Sequence, residues 1–250
     1  MATERMIVWS GLSQLDGVTP IVALATGVPK GKGKSSNNVK TGDMIQVHIL
    51  LEDVNPTEAL KSGSDVAICG TCPHKSKAAG GSAACYTHGN IRRGFAQTTT
   101  WKAHDAKGSI PFDVERFAGH KVRFGAYGDP AAVPFEVWES IAEVASAVTG
   151  YTHQWRTCDP RFAEVCMAST DSAAETSDAL AKGYRVFNVR EAGTPKPKGM
   201  VTCPASEEAG KRTVCADCLQ CGGISSGRKA SITIQAHGAT KRAFIPLAVI

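Results

Sequence analysis

Residues 121 to 150 read K-V-R-F-G-A-Y-G-D-P-A-A-V-P-F-E-V-W-E-S-I-A-E-V-A-S-A-V-T-G, and this stretch sets the reading of the whole chain. Lys121 to Tyr127 is rich in branched and aromatic residues and ends at a Gly-Asp-Pro turn, the pattern of a strand. From Pro134 to Thr149, Phe135, Val137, Trp138, Ile141, Val144, Ala145 and Val148 recur at three and four residues. Glu136, Glu139 and Glu143 fall largely on the other side, and Gly150 ends the run. The spacing predicts an amphipathic helix lying on a sheet.

The alternation continues downstream. A strand is expected at 151–157, a helical turn from Pro160, a strand at 164–169, a helix begun by Asp171 or Ser172 and stopped by Gly183, and a strand at 184–190. Upstream, Pro111 to Ala118 predicts a helix stopped by Gly119, and Val66 to Ile68 a brief strand. Asn55-Pro56 followed by T-E-A-L-K-S-G has the cap, the first-turn proline and the terminal glycine of a short helix. Residues 6–10, 20–26 and 44–51 predict three more strands.

Strands alternating with helices at this spacing imply parallel strands with right-handed crossovers. The expected fold class is α/β: a partial (β/α) barrel with parallel strands plus a small C-terminal cysteine-rich lobe. Its parts are residues 1–63, N-terminal strands and a short helix packed on the core; 64–190, the barrel-like core; and 191–250, a cysteine-rich metal-binding lobe with a C-terminal strand. A Pro, Gly and Lys-rich linker over 191–202 leads into that lobe, which closes with a strand over Ala230–Ala236 and an apolar tail from Phe244.

The lobe carries the strongest chemical signal, C-P-A-S-E-E-A-G-K-R-T-V-C-A-D-C-L-Q-C-G-G from Cys203 to Gly223. Cys215, Cys218 and Cys221 are serial, with two residues between neighbours, and Cys203 stands apart before a proline. Thiolates at this spacing grip one metal centre from a single turn, and the pattern of three serial cysteines plus one before proline favours a [4Fe-4S] cluster. A structural Zn(Cys)4 site is the alternative, since spacing does not choose the metal.

A second group, C-G-T-C-P-H-K-S-K-A-A-G-G-S-A-A-C-Y-T-H, places Cys69, Cys72 and Cys85 on one glycine-rich loop. Three thiolates without a fourth leave one iron of a cubane open to a ligand. His74 or His88 could instead complete a closed Cys3His zinc site. Nine cysteines, seven of them in these two groups, suit a reducing cytoplasm better than a disulfide framework. Cys158 and Cys166 are left over.

The segments that follow the expected strands converge at one end of such a sheet, where ligands bind. They are Cys69 to Cys85, Y-G-D-P with Asp129, Q-W-R-T-C-D-P with Arg156, S-T-D-S from Ser169, and Arg190-Glu191. Asp129, Arg156 and Ser169 are the candidate cofactor-binding residues. Each also has a plain structural role open to it: Asp129 as a turn residue before Pro130, Asp171 as a helix cap, Trp155 as core.

With 42% hydrophobic and 20% charged residues the chain has the composition of a soluble globular protein. No apolar run approaches the roughly 18 residues of a membrane span, and the N-terminus lacks a basic region followed by an apolar core, so neither export nor a membrane partner is expected. A net charge of +5 falls short of a dedicated nucleic-acid domain. Lys30, Lys32, Lys34, Lys40, Arg92 and Arg93 are nevertheless the residues through which a nucleic acid or a host protein partner would be held if the chain were a non-enzymatic zinc protein.

Two resemblances follow from these motifs. T-G-D-M-I-Q, C-G-T-C-P-H, Y-G-D-P-A-A-V-P, T-H-Q-W-R and C-P-A-S-E-E-A-G together resemble a family of uncharacterised cysteine-rich proteins encoded by bacteriophages, which implies a place in the host cytoplasm and no particular activity. The architecture resembles the radical S-adenosylmethionine enzymes, in which a partial (β/α) barrel carries a three-cysteine loop after its first strand, a glycine-acidic motif after the second and a Ser or Thr after the fourth. Counting Val66 to Ile68 as first, those places hold Cys69, Cys72 and Cys85, then Gly128-Asp129-Pro130, then Ser169-Thr170. That family spaces its cysteines by three and then two residues; here the spacing is two and then twelve. The resemblance implies an oxidoreductase or modification enzyme with one or two [4Fe-4S] clusters and S-adenosylmethionine, the C-terminal cysteines holding the auxiliary cluster.

Overall fold

A computed structural model describes residues 3–30, 33–36, 38–88 and 96–244. The chain opens with three long strands, β1 (Thr3–Leu12), β2 (Pro20–Pro29) and β3 (Ile45–Leu51), paired antiparallel in that order. β4 (Lys121–Tyr127) and β5 (Ala147–Thr149) then add in parallel beyond β3. A second sheet, all parallel, contains β6 (Tyr151–Thr152), β7 (Met167–Thr170), β8 (Val186–Arg190), β9 (Val201–Thr202) and β10 (Ile232–Gln235) in the order β6-β7-β8-β10-β9. The molecule is thus a mixed α/β protein with helices and strands interleaved.

The central strands read as apolar runs because both faces are covered: in I-Q-V-H-I-L-L of β3 every residue but Gln46 is buried, and all four residues of β7 are. The helix expected after β4 is α4, Phe135–Val144. It buries Phe135, Trp138 and Ile141, one face at helical spacing, and Trp138 is anchored by a 2.9 Å bond from its Nε1 to the Pro130 carbonyl and by the Phe124 ring 4.6 Å away. The expectation of helix through Thr149 is corrected: α4 ends at Val144 because Ala147–Thr149 pair with β4. β-branched residues whose backbone can join a ladder leave a helix readily.

Gly150, expected as a helix stop, is the point where β5 passes into β6 and the chain changes sheet. Its N–H donates to the Cys221 carbonyl at 3.1 Å and its carbonyl accepts from Met167 N at 3.0 Å. A Cβ there would stand 2.7 Å from Cys166 Sγ and 3.2 Å from Phe124 Cβ, so the close approach requires glycine.

The short helix after Asn55 is α1, Pro56–Ser62, with Asn55 Oδ1 accepting from Thr57 N and Gly63 in the left-handed region, as its sequence dictates. Val66 to Ile68, expected as a strand, belongs to the helical turn α2, Val66–Cys69, whose last two N–H groups, of Ile68 and Cys69, donate to the Asp65 carbonyl. The first strand of the parallel run is therefore β3. The Thr-rich segment 96–107, for which no element was expected, forms α3, Ala96–Lys107, with Trp101 Nε1 tied to the Leu51 carbonyl at 3.0 Å. Pro111 to Ala118 yields only a 3-10 turn over Val114–Phe117 capped by Asp113, and the strand expected at 151–157 ends at Thr152. The start of the strand expected at 164–169 is taken by α5, Phe162–Val165. Ser172 caps α6, Ala173–Ala181. The cysteine-rich C-terminal segment contributes strands to the core: β10 pairs β8 and β9 directly.

Candidate functional site

A cavity of about 250 Å³ opens where the strands β4, β8 and β10 meet the loops, and all seven grouped cysteines line it. Cys69, Cys72 and Cys85 arrive from the loop after α2. Cys203, Cys215, Cys218 and Cys221 arrive from the C-terminal segment.

The first loop is held from within and from behind. Asp65, fully buried, accepts from Ser76 N at 2.9 Å and Ser76 Oγ at 2.6 Å, which folds the loop back on α2. Gln154 donates to the Cys69 carbonyl at 3.0 Å and accepts from Thr71 N at 3.2 Å and Thr71 Oγ1 at 3.0 Å. Gly70, at φ 53°, lets the loop pass this amide; a Cβ would stand 2.5 Å from Gln154 Oε1. The second group is built on α7, Cys215–Cys218. Cys215 N and Ala216 N donate to the Lys40 and Thr41 carbonyls, Cys203 N donates to Thr233 O, and the buried Arg185 donates to the Gln220 and Gly222 carbonyls. Both groups are therefore held through the backbone of their own segments, and their thiols form no disulfide.

Burial pushes the Cys69 thiol well up, and the neighbouring Cys72 and Cys85 push it further. Burial, then Cys72, raises Cys85; burial raises Cys203, and Cys221 is pushed up to about 12. Crowded, desolvated thiols of this kind stay protonated until a cation draws the protons off. That chemistry fits a thiolate-bound metal centre. Cys166, fully buried, and Cys158, within 3.6 Å of Tyr184 Oη and raised to about 11 by burial, stand outside the cavity as packing groups.

Beside Cys72 lies a cluster the sequence reading missed. His74 Nε2 is 2.8 Å from Asp171 Oδ1, His153 Nε2 is 3.4 Å from Asp171 Oδ2, and His153 Nε2 is 3.9 Å from Cys72 Sγ. Burial alone would raise Asp171, but the imidazoles of His153 and His74 beside it outweigh burial and hold the carboxyl below the usual range. Burial opposes charge on His153, yet Cys72 and Asp171 keep its pKa well above the ordinary histidine value. The imidazole touching a thiol is thus His153, from T-H-Q-W-R, while the Nε2 of His74, expected as a possible fourth ligand, faces Asp171. His88 is buried with Nε2 unpartnered among the described residues, and burial lowers its pKa.

Of the three expected cofactor-binding residues, Asp129 and Ser169 line the cysteine cavity. Asp129 is a cap as well: its carboxylate accepts from Ala131 N at 3.0 Å and His153 N at 2.8 Å, and burial raises its pKa. Arg156 lines a different cavity. Its guanidinium lies 3.9 Å over the Trp155 ring and 3.1 Å from Glu175, on a neighbouring cavity lined also by His153 and Ser169, because Trp155 is drawn into the core by a 3.0 Å bond to the Ser169 carbonyl.

The arginine that lines the cysteine cavity is Arg123 of β4, a position that reads as an ordinary strand residue in the sequence. Among the expected basic residues, Lys30 pairs with Glu4 at 3.5 Å and Lys40 lines the cavity, while Lys32, Arg92 and Arg93 lie outside the described residues. No helix among the described residues is long and apolar enough to cross a membrane. Compared with protein-family models, with curated proteins and with solved structures, the chain matches none.

Proposed function

We propose that this chain is an iron-sulfur protein of the radical S-adenosylmethionine type, a modification enzyme or oxidoreductase built on a partial (β/α) barrel and working in a reducing cytoplasm. The observation that carries the reading is the convergence of seven free, partly buried thiols, in a group of three and a group of four, on one cavity. The barrel is supported by parallel pairings in chain order, β3 with β4 and β4 with β5 in one sheet, then β6 with β7, β7 with β8 and β8 with β10 in the other.

In this reading Cys69, Cys72 and Cys85 hold one [4Fe-4S] cluster and Cys203, Cys215, Cys218 and Cys221 hold the other. When bound, the three-thiolate cluster supplies an open iron for an amine-and-carboxylate chelate, S-adenosylmethionine being the candidate, and an electron for its reductive cleavage. The residues of the chain do the positioning. Asp129 presents a carboxylate fixed by two backbone N–H groups to the cationic end of such a ligand, and Ser169 lines the same wall. His153, 3.4 Å from Asp171 and 3.9 Å from Cys72 Sγ on the same wall, is the imidazole placed to meet the ligand carboxylate. A second reading, a zinc protein binding nucleic acid or another protein, draws support from the same His153: an imidazole 3.9 Å from Cys72 Sγ could close a Cys3His site.

Metal analysis of anaerobically purified protein decides between them. Iron and labile sulfide are expected, with an electron paramagnetic resonance spectrum of the reduced protein that changes on adding S-adenosylmethionine and no longer does so in Cys85→Ser. Stoichiometric zinc without iron after anaerobic reconstitution would refute the iron-sulfur reading, and a spectrum indifferent to the ligand would refute the open iron.

A further inference from the structure

The cavity shared by the two cysteine groups holds positive charge that no carboxylate answers. Arg123 reaches it from β4. Its Nη2 donates to Tyr86 Oη at 3.3 Å, its guanidinium lies 5.9 Å from the Tyr151 ring centroid, and its Nε is buried without a partner among the described residues. Lys40 meets the same tyrosine at its ring: Nζ lies 4.8 Å from the Tyr86 ring centroid and 3.0 Å from His237 Nε2. His237 Nδ1 is 3.2 Å from the Gln235 carbonyl, which makes Nδ1 the donor and Nε2 the acceptor for Lys40, so this partner leaves the ammonium charge intact.

Neither cation forms an ion pair among the described residues, and the segments outside them contain no Asp or Glu. Among the described residues Asp129 is the one acidic side chain on the cavity wall, and its oxygens are engaged by backbone N–H groups. A guanidinium with an unused N–H, in a partly desolvated cleft with an ammonium close by, is costly unless something negative completes it. Tyr86 follows Cys85 in the chain, and Tyr151 lines the cavity with Cys221, so Arg123 lies between residues neighbouring the two thiol groups.

We propose that the cavity takes a small oxyanion-bearing molecule, a carboxylate or a phosphate, whose anionic group is gripped by the Arg123 fork at the Tyr86 hydroxyl and by Lys40 at the Tyr86 ring. This names the substrate class of the site proposed above and rests on that reading for the reaction; the anion site itself requires only that the cavity be formed. Arg suits the role because its planar donor fork matches both oxyanions bidentately, whereas Lys contributes a point charge at the rim. A cavity of about 250 Å³ admits a small molecule and not a folded partner.

The test uses the full metal-loaded chain in isothermal titration calorimetry with inorganic phosphate and with succinate, at constant ionic strength and with chloride as the control. Saturable binding of at least one probe is expected, weakened at least tenfold in Arg123→Gln, several-fold in Lys40→Gln, and unchanged in Lys182→Gln, an exposed lysine beyond α6. Preference for phosphate or for succinate identifies the source of the oxyanion. If Arg123→Gln loses its metal or fails to fold, Lys40→Gln at the exposed rim decides the matter alone. Absence of saturable binding above chloride, or binding undiminished in the folded Arg123→Gln or Lys40→Gln protein, overturns the proposal. Zinc in place of iron would sink the radical chemistry yet leave this binding in place, so the two failures are told apart.

Discussion

Asp171→Asn is the sharpest probe of the site. The carboxylate is 4% exposed and shared between His74 at 2.8 Å and His153 at 3.4 Å. At an effective dielectric of about 20, opposite unit charges at the longer distance attract by roughly 5 kcal/mol, which bounds the loss from above. Breaking a buried pair by removing one partner costs about 3–5 kcal/mol. The lower end applies, because His153 can shed its proton rather than remain an unpaired cation, so we expect a loss of about 3 kcal/mol. For a chain of this size that is a fall in Tm of roughly 6–12 °C.

The pH dependence carries the mechanism. Asp171 has a depressed folded pKa, so its contribution is complete above the ordinary aspartate value near 4 and is lost as pH falls. His153 has a raised folded pKa, so its contribution is complete below the ordinary histidine value of about 6.5 and is lost as pH rises through the folded value. The gap in Tm between parent and variant should be widest from about pH 5 to 6.5 and close on the alkaline side. Circular dichroism melts at matched metal content measure it. A gap under about 2 °C at pH 6, or one that persists undiminished at pH 10, would show that the three side chains are not coupled as described.

Three further outcomes are expected. Cys218→Ser should lose the metal of the four-cysteine group and melt lower, since metal binding there is also folding free energy; unchanged metal content and Tm would remove Cys218 from the ligand set. Gly223→Ala would put a Cβ 2.2 Å from the Glu164 carbonyl and 2.4 Å from the Ala163 oxygen, a backbone overlap worth about 3 kcal/mol, and urea unfolding within 1 kcal/mol of the parent would contradict the packing. Asp65→Asn weakens two bonds from Ser76 and should cost about 2 kcal/mol while depleting metal from the three-cysteine group, with the four-cysteine group retained; equal loss from both would mean that Asp65 supports the whole fold and not that loop.

What the sequence revealed was whatever has a local cause. β4 matched its expected limits because branched residues end at a Gly-Asp-Pro turn, and α1 matched because its cap and terminal glycine act within a few residues. α4 ran long in the sequence reading because Ala145 and Val148 continue the helical spacing, and only the partner strand β4, distant in sequence, draws Ala147–Thr149 out of it. Val66 to Ile68 looked like a strand by residue type, yet three residues with Asp65 ahead of them close a turn more cheaply than they find a ladder. α3 escaped notice because Gln97, Thr98 and Thr100, its buried residues, are polar. At the site, cysteine spacing identified both thiol groups, since ligands from one turn are a local matter. Arg123 and the His74, His153 and Asp171 cluster could not be read the same way: each joins residues that only the parallel pairing brings together.

That pairing also explains why two thiol groups so far apart in sequence share one cavity. Both are indexed to the short strand that crosses between the sheets. Gly150 N–H holds the Cys221 carbonyl, while Gln154, four residues on, holds the Cys69 carbonyl; between them His153 N–H binds Asp129. At roughly 3.3 Å per residue, that run separates the two anchor points by at most about 13 Å. Neither group can move along the sheet without breaking a bond to residues 150–154, so the spacing between them is a property of this segment and not of the long loops that carry the cysteines. Arg123, on the adjacent strand and parallel to β5 with Thr149 as its partner in register, occupies the same level. An anionic ligand held by its guanidinium would therefore sit where both thiol groups can face it.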